Sequence, residues 1–227
     1  MFDGHLRAPV ERAVKPIGDR LRRTRLSPDH LTVVGLVVAV GAAVAIGAGF
    51  LALGLLLVIL AALPDLLDGA LAKASNTSSQ RGAFFDSVID RVTDSLLFGG
   101  VAWYFASEES AHMALLPMAV LALSSVISYQ RAKAESLGLS AKGGIMERAE
   151  RIILLCLGLL FPALLVPIMW LMLVLVAVTA VQRFVKVWKQ AAVAPVTAAR
   201  IELKRSRRQS RRARRVTRRR EFLRRQT

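Results

Sequence analysis

Apolar residues along this chain come in long blocks, and the polar residues collect between the blocks. The stretch from residue 31 to residue 63 contains no charged side chain. That length is too great for one membrane span of about 20 residues, but it suits two spans joined by a turn near residue 49. Four further blocks follow at residues 83–106, 111–132, 148–166 and 168–188. The pattern predicts an all-α integral membrane protein with six transmembrane helices.

Positive charge collects in the connections on one side of these spans. Lys and Arg number seven in the first 30 residues, five in residues 131–151 and fourteen from residue 200 onward. The connections near residue 49, at "FASEESAH" and at "LFPALLVP" carry none. The positive-inside bias therefore predicts a multi-pass protein of the cell membrane with both termini in the cytoplasm.

The two basic ends account for most of the net charge of +16. Residues 1–26 mix apolar and basic side chains, which predicts an N-terminal cytoplasmic helix lying on the membrane surface. Residues 27–190 form the predicted six-helix domain, in which Ser27 caps the first span and Pro28 opens it. Residues 191–227 form a basic cytoplasmic tail without interleaved aromatic residues, so membrane lipids rather than nucleic acid are its expected partners.

Five aspartates stand among apolar residues in two adjacent predicted spans: Asp65, Asp68, Asp86, Asp90 and Asp94. An aspartate at a helix centre costs about 2.5 to 3.5 kcal/mol on an insertion scale, so its retention calls for a reason. Asp65 and Asp68 share one helix face, as do Asp86 and Asp90. The short connection between the spans brings these faces together near the cytoplasmic boundary. Four carboxylates there suit Mg²⁺, Mn²⁺ or Ca²⁺ rather than zinc or copper.

Two glycines remove side chains beside these acids. Gly69 and Gly82 leave room for a phosphate to approach the backbone, although close helix packing also explains small residues at such positions. A metal between carboxylates, beside a phosphate-sized gap and basic side chains, is typical of phosphoryl transfer. Intramembrane salt bridges, such as one between Asp90 and Arg91, explain one or two of the acids but not four.

The spacing of these residues reads Asp65-x2-Asp68-Gly69-x2-Ala72-Lys73-x8-Gly82-x3-Asp86-x3-Asp90. It resembles the signature of the CDP-alcohol phosphotransferases, membrane enzymes that move a phosphatidyl group from a CDP-linked lipid to an alcohol and release CMP. The family usually has Arg at the position of Lys73. That change keeps the charge and loses bidentate phosphate binding. Further stretches resemble the actinobacterial phosphatidylinositol phosphate synthases: "SPDHLT", "SYQRAKAESLGL", "GGIMERAERIILL" and "VQRFVKVW".

This resemblance implies roles for individual residues. The implied ligands of a catalytic Mg²⁺ or Mn²⁺ are Asp65, Asp68, Asp86 and Asp90, of which Asp90 also serves as general base. The implied CDP-diacylglycerol site comprises Gly69, Ala72, Lys73, Gly82, Thr32, Pro28 and Asp29. The resemblance also implies a homodimer whose active sites open at the cytoplasmic face.

The acceptor alcohol is predicted from basic residues at the cytoplasmic ends of the last three spans. The resemblance places the phosphate of an inositol phosphate against Arg131, Lys133, Arg151 and Arg183. A phosphorylated acceptor needs such an anion pocket, whereas free serine or free inositol does not. Simple positive-inside anchoring is the competing interpretation of the more superficial residues. The predicted products are phosphatidylinositol phosphate and CMP, from CDP-diacylglycerol and myo-inositol 3-phosphate.

Three other hypotheses about the function remain open at this point. The same chemistry with glycerol 3-phosphate would make the chain a phosphatidylglycerophosphate synthase. A divalent-cation transporter would also use intramembrane acids, but nearer the bilayer midplane. A membrane anchor acting through its basic tail leaves the acids unexplained. Among the remaining charged residues, Asp94 is expected to bond within the bundle, and Glu147 and Glu150 to orient nearby arginines.

Overall fold

The regular structure of the described chain is helical throughout. The computed structural model describes residues 28–62 and 80–192. Its helices are α1 (Pro28–Gly47), α2 (Leu51–Ala62), α3 (Gln80–Tyr104), α4 (Leu115–Ser136), α5 (Arg148–Leu160) and α6 (Leu165–Ala191). The predicted N-terminal surface helix and nearly all of the basic tail lie outside the described residues.

A tight turn joins α1 to α2 where the apolar pattern predicts one. Gly49 has a φ of +83°, a conformation that glycine adopts without steric penalty. The backbone N–H of Phe50 donates to the carbonyl of Ala45 at 2.8 Å. The turn therefore reverses the chain within three residues and brings α2 back beside α1.

The break between α5 and α6 comes earlier than the apolar pattern predicts. Helix α5 ends at Leu160, and a 3₁₀ turn at Pro162–Leu164 leads directly into α6. Pro162 has no backbone N–H to continue the hydrogen bonding of α5, so the helix stops just before it. Because the residues around the break are as apolar as the spans, the predicted boundary near residue 167 is wrong by a few residues.

Three helical stretches of the described chain are long and apolar enough to cross a membrane. They are His30–Gly47, Ala111–Ser136 and Pro162–Ala191. Helix α3 carries several charged side chains, and α5 has 13 residues, a length of about 20 Å. The prediction of an all-α membrane protein is confirmed, while the number of spans remains a prediction.

The helices pack in pairs around a mainly apolar core. Helix α1 lies along α3, α4 lies along α6, and α3 and α6 also contact α4 and α5 respectively. The α1–α3 contact is close because Gly100 has no side chain: a Cβ there would lie 2.6 Å from the carbonyl oxygen of Ala43. Large buried side chains include Phe98, Phe105, Leu155, Met169 and Met172.

The outer faces of the same helices are also apolar. Val37, Leu53, Trp170 and Val181 each expose about half of their surface or more. A water-soluble monomer rarely presents such continuous apolar surface, whereas lipid acyl chains cover it without loss. The charged side chains that remain inside the bundle are therefore the exception, and they collect at one end of it.

Candidate active site

The acidic face of α3 is the first component of the candidate site. Asp86, Asp90 and Asp94 follow one another at intervals of one helical turn, so their side chains lie on one face. Asp86 and Asp90 are half-buried, and Asp94 is 2% exposed. Gly82 is half-buried in the first turn of the same helix. The described chain thus presents a row of carboxylates that deepens from the first turn of α3 toward its middle.

The first turn of α5 is the second component. Glu147 caps the helix with its side chain, and Glu150 accepts the backbone N–H of Glu147 at 3.2 Å in return. This reciprocal capping fixes the direction in which the helix begins. The fixed start sends Arg148 and Arg151 from α5 toward α3.

Ion pairs connect these two components. Arg148 NH1 lies 2.8 Å from Asp90 Oδ1, and Arg148 Nε lies 3.5 Å from Asp94 Oδ1. Arg151 NH2 donates to Asp94 Oδ2 at 2.7 Å. Burial of an unpaired carboxylate is very unfavourable, so the two arginines make the burial of Asp94 possible. The expectation that Asp94 bonds within the bundle agrees with these contacts.

Arg183 of α6 is the third component. Its NH1 donates to the carbonyl of Ile127 at 3.0 Å, and its NH2 donates to the carbonyl of Gly143 at 3.2 Å. NH2 also lies 3.1 Å from Glu147 Oε1, and the side chain is 4% exposed. Arg183 therefore joins α4, α5 and the connection between them at one point.

A polar stripe on α6 continues this attachment. Thr179 accepts the backbone N–H of Met146 at 3.0 Å, Lys186 donates to the carbonyl of Lys142, and Gln190 bonds both backbone groups of Ser140. The stripe holds the connection between α4 and α5 against α6 along its length. The connection consequently has a defined position at the edge of the candidate site.

The predicted acceptor residues are brought together to different degrees. The positive charges of Arg131 and Arg151 repel that of Arg183, whereas the negative charges of Glu135 and Glu147 attract it. Arg131 is exposed and lies 3.1 Å from Glu135, whereas Arg151 is 2% exposed. Lys133 is exposed in the last turn of α4. Three of the four predicted residues thus share one electrostatic environment.

The remaining predicted site residues lie at the start of α1 or outside the described residues. Pro28 and Asp29 open α1, and Thr32 is half-buried one turn later. The residues that lie outside the described ranges are Asp65, Asp68, Gly69, Ala72 and Lys73.

The predicted metal ligands fit a hard divalent cation only when Asp65 and Asp68 are counted together with Asp86 and Asp90. Residues 28–62 and 80–192 hold no group of three or more acidic, histidine or cysteine side chains arranged for a metal. Asp86 and Asp90 supply two of the four predicted carboxylates, and Asp90 already accepts a cationic partner in Arg148. Oxygen donors of this kind suit Mg²⁺ or Mn²⁺.

Sequence reasoning left two interpretations of Arg148, a part in an anion pocket or positive-inside anchoring, and gave Glu147 only a general role in orienting neighbouring arginines. In the structure Arg148 contacts Asp90 directly, and Glu147 pairs with Arg183 rather than with an arginine of its own helix. The i, i+3 spacing of Arg148 and Arg151, which matches the spacing of the acids on α3, was the signal that could have revealed the first contact.

Comparison with known proteins places this arrangement in a family. Residues 25–195 match the CDP-alcohol phosphatidyltransferase model. The phosphatidylinositol phosphate synthase of Mycobacterium marinum is 35% identical over 192 residues, which cover 80% of this chain and 82% of that protein.

Two crystal structures of the Mycobacterium tuberculosis phosphatidylinositol phosphate synthase resemble the fold. The structure with CDP-DAG bound has a TM-score of 0.72 and 35% identity and covers 78% of this chain and 94% of that chain. The structure in complex with manganese and citrate has a TM-score of 0.72 and 34% identity and covers 77% and 88%. The chain belongs to the CDP-alcohol phosphatidyltransferase family, as the spacing of its acidic signature predicted.

Proposed function

We propose that this chain transfers the phosphatidyl group of CDP-diacylglycerol to myo-inositol 3-phosphate, giving phosphatidylinositol phosphate and CMP. The observation that carries the choice of acceptor is the burial of two arginines: Arg151, which pairs with Asp94 of α3, and Arg183, which pairs with Glu147 at the start of α5. Arginine recognises phosphate through several charge-assisted hydrogen bonds. A free alcohol carries no anionic group that could accept from the N–H donors that these arginines leave unused.

The unused donors of the two arginines support an anionic ligand. Arg151 Nε and Arg183 Nε are buried and have no hydrogen-bond acceptor among the described residues. A buried donor without a partner is unfavourable by about 1 to 3 kcal/mol. A phosphate group that reached the arginines would offer acceptors to such donors, and the exposed Arg131 and Lys133 would attract it from the cytoplasm.

A divalent metal is the proposed cofactor. The related Mycobacterium tuberculosis synthase has been crystallised with CDP-DAG and, separately, with manganese. In this chain Asp65, Asp68, Asp86 and Asp90 would hold the ion. When bound, Mg²⁺ or Mn²⁺ neutralises the pyrophosphate of the lipid and stabilises the departing CMP.

The transfer itself needs a base and a fixed acceptor. The acceptor hydroxyl attacks the β-phosphorus of CDP-diacylglycerol and forms a new phosphorus–oxygen bond, while the bond to the bridging pyrophosphate oxygen breaks and CMP leaves. Asp90 takes the hydroxyl proton. Arg151 and Arg183 hold the acceptor phosphate, so that the attacking hydroxyl remains in reach of the β-phosphorus. Gly69, Ala72, Lys73, Gly82, Thr32, Pro28 and Asp29 form the proposed nucleotide side of the site.

An apolar groove between α2 and α5 supports a path for an acyl chain. Leu55 and Ile59 line it from α2, and Ile152, Cys156 and Leu160 line it from α5. The groove begins at the end of α2 that leads into the acidic signature. Saturating CDP-diacylglycerol should therefore slow the alkylation of Cys156 by an apolar maleimide. Unchanged alkylation would remove the groove from the path of the lipid.

The wider organisation follows the same proposal. Residues 27–190 form the catalytic domain with six transmembrane helices, residues 1–26 lie on the cytoplasmic membrane surface, and residues 191–227 form the basic tail. The distribution of Lys and Arg among the connections supports termini on the cytoplasmic side. A homodimer is the proposed assembly, in keeping with the family resemblance.

The decisive experiment measures CMP release by the purified full-length chain with CDP-diacylglycerol and Mg²⁺. Inositol phosphate, glycerol 3-phosphate, free inositol and serine are compared in parallel, each with a chelator control. Chelator-sensitive release with inositol phosphate alone is expected. Release with glycerol 3-phosphate instead would overturn the choice of acceptor and keep the family chemistry. No release with any acceptor, by protein shown to be folded, would contradict the proposal as a whole.

A further inference from the structure

Asp94 is a buried carboxylate outside the acidic signature. It lies on α3 one turn beyond Asp90, and its side chain is 3% exposed. Both of its oxygens face arginines of α5: Oδ2 lies 2.7 Å from Arg151 NH2, and Oδ1 lies 3.5 Å from Arg148 Nε. Asp94 thus bonds two cations, of which Arg148 also contacts Asp90.

The first of these cations connects Asp94 to the proposed base. Arg148 reaches Asp90 Oδ1 at 2.8 Å through NH1 while its Nε faces Asp94. A chain of alternating charge therefore runs from Asp90 through Arg148 and Asp94 to Arg151. The two acids and two arginines carry equal and opposite charge, which makes the burial of Asp94 and Arg151 tolerable.

Arg151 is the second of these cations, and Asp94 is its acidic partner. Arg151 is 2% exposed, and its Nε is buried without an acceptor among the described residues. Because the guanidinium is planar, the bond from NH2 to Asp94 also sets the direction of the other N–H groups. Arg151 lies close enough to Arg183 to act on its charge. The bond to Asp94 therefore orients the remaining N–H donors of Arg151, including the Nε that has no acceptor among the described residues.

We propose that Asp94 is a positioning residue for recognition of the phosphorylated acceptor, and that it acts through Arg151 and Arg148. The inference rests on the proposed function, because it takes the acceptor phosphate as the ligand of Arg151. Without the Asp94 carboxylate, Arg151 loses the bond that orients it. Arg148 keeps its contact with Asp90. The acceptor site is expected to weaken while the lipid site is spared.

The test compares Asp94→Asn with the control Ser124→Ala in the purified full-length protein. Ser124 is also buried, and its hydroxyl donates to the carbonyl of Val120 in the same helix, so the control removes a buried polar contact that involves no arginine and no residue of the candidate site. CMP release is measured while each substrate is varied in turn. Asp94→Asn should raise the KM for inositol phosphate about tenfold, the effect of one lost charge-assisted hydrogen bond. The KM for CDP-diacylglycerol should change less than about twofold, and the control should change neither KM.

A purely structural role gives a different pattern. Equal changes in both KM values, or a fall in kcat with both KM values unchanged, would overturn the inference. If Asp94→Asn does not give folded protein, Asp94→Glu keeps the charge and moves the carboxylate by one methylene. A raised KM for inositol phosphate alone supports positioning in that variant, and unchanged KM values contradict it.

The same assay separates the inference from the proposal on which it depends. A wild-type protein that uses inositol phosphate, beside an Asp94→Asn variant with normal KM values, sinks the inference and leaves the proposed function standing. A folded wild-type protein that uses no phosphorylated acceptor defeats both.

Discussion

Asp90 is an ion-pair partner in the structure and also the proposed general base. In the described structure its carboxylate is held by Arg148 at 2.8 Å, with Arg91 at 3.6 Å, and in the proposed reaction it takes a proton beside a metal. An amide keeps the shape of the side chain but neither accepts a proton at neutral pH nor carries the negative charge. Asp90→Asn should therefore lower CMP release by about 100-fold or more, while CDP-diacylglycerol binding falls much less.

The matched control is Glu108→Gln, which makes the same chemical change at an exposed acid on the far connection. Binding is measured with a fluorescent or radioactive lipid, so that it does not depend on turnover. Normal turnover in Asp90→Asn would remove the base from this position. Loss of lipid binding together with turnover would mean that Asp90 serves chiefly the metal.

At this scale the sequence was informative about residues that are close in the chain. The spacing of the aspartates and glycines was enough to identify the family. The sequence did not predict that Asp94 pairs with Arg151, because the two residues are 57 positions apart in the chain. Only the tertiary fold, which brings the first turn of α5 beside the acidic face of α3, joins that pair. The same holds for Arg183 and the carbonyl of Ile127, which are 56 positions apart.

Helix α3 depends on a close contact with α1 as well as on its charges. A Cβ at Gly100 would lie 2.6 Å from the carbonyl oxygen of Ala43, whereas a Cβ at Gly99 meets nothing within 4 Å. Gly100→Val should therefore force the two helices apart and lower the free energy of unfolding by about 1 to 3 kcal/mol. Gly99→Val makes the same change in helix propensity, so the difference between the two variants isolates the contact.

The measurement is thermal unfolding of both variants in the same detergent, followed by CMP release at a temperature where both are folded. A lower unfolding temperature for Gly100→Val than for Gly99→Val is expected. Equal unfolding temperatures would show that α1 and α3 have enough freedom to absorb the added side chain. Reduced CMP release in Gly100→Val alone would indicate that the α1–α3 spacing also sets the position of the acidic row.

Element positions followed from the apolar blocks, but element ends did not. Gly49 marks the first turn clearly, because its positive φ is one that glycine favours. The end of α5 is marked only by Pro162, within residues as apolar as their neighbours. In a uniformly apolar block every face of a helix is apolar, so the periodicity of apolar residues does not mark where the helix ends.

Across the whole molecule, the connections between the helices differ in charge. The connection between α4 and α5 carries Lys142 and leads into Arg148, whereas the connection after α3 carries Glu108 and Glu109. The basic connection lies at the end of the bundle that holds Arg151 and Arg183 with Asp94. An active site at the cytoplasmic face therefore requires this end to face the cytoplasm, where the phosphorylated acceptor is expected.

Single cysteines test that orientation directly. In a Cys156→Ala background, Ser107→Cys reports the connection after α3 and Ser140→Cys reports the connection between α4 and α5, and both serines are exposed. A membrane-impermeant maleimide added to intact cells should label Ser107→Cys. It should label Ser140→Cys only after the membrane is opened, because the positive-inside bias puts that connection in the cytoplasm. Labelling of Ser140→Cys in intact cells would invert the molecule, and the acceptor would then have to come from outside the cell.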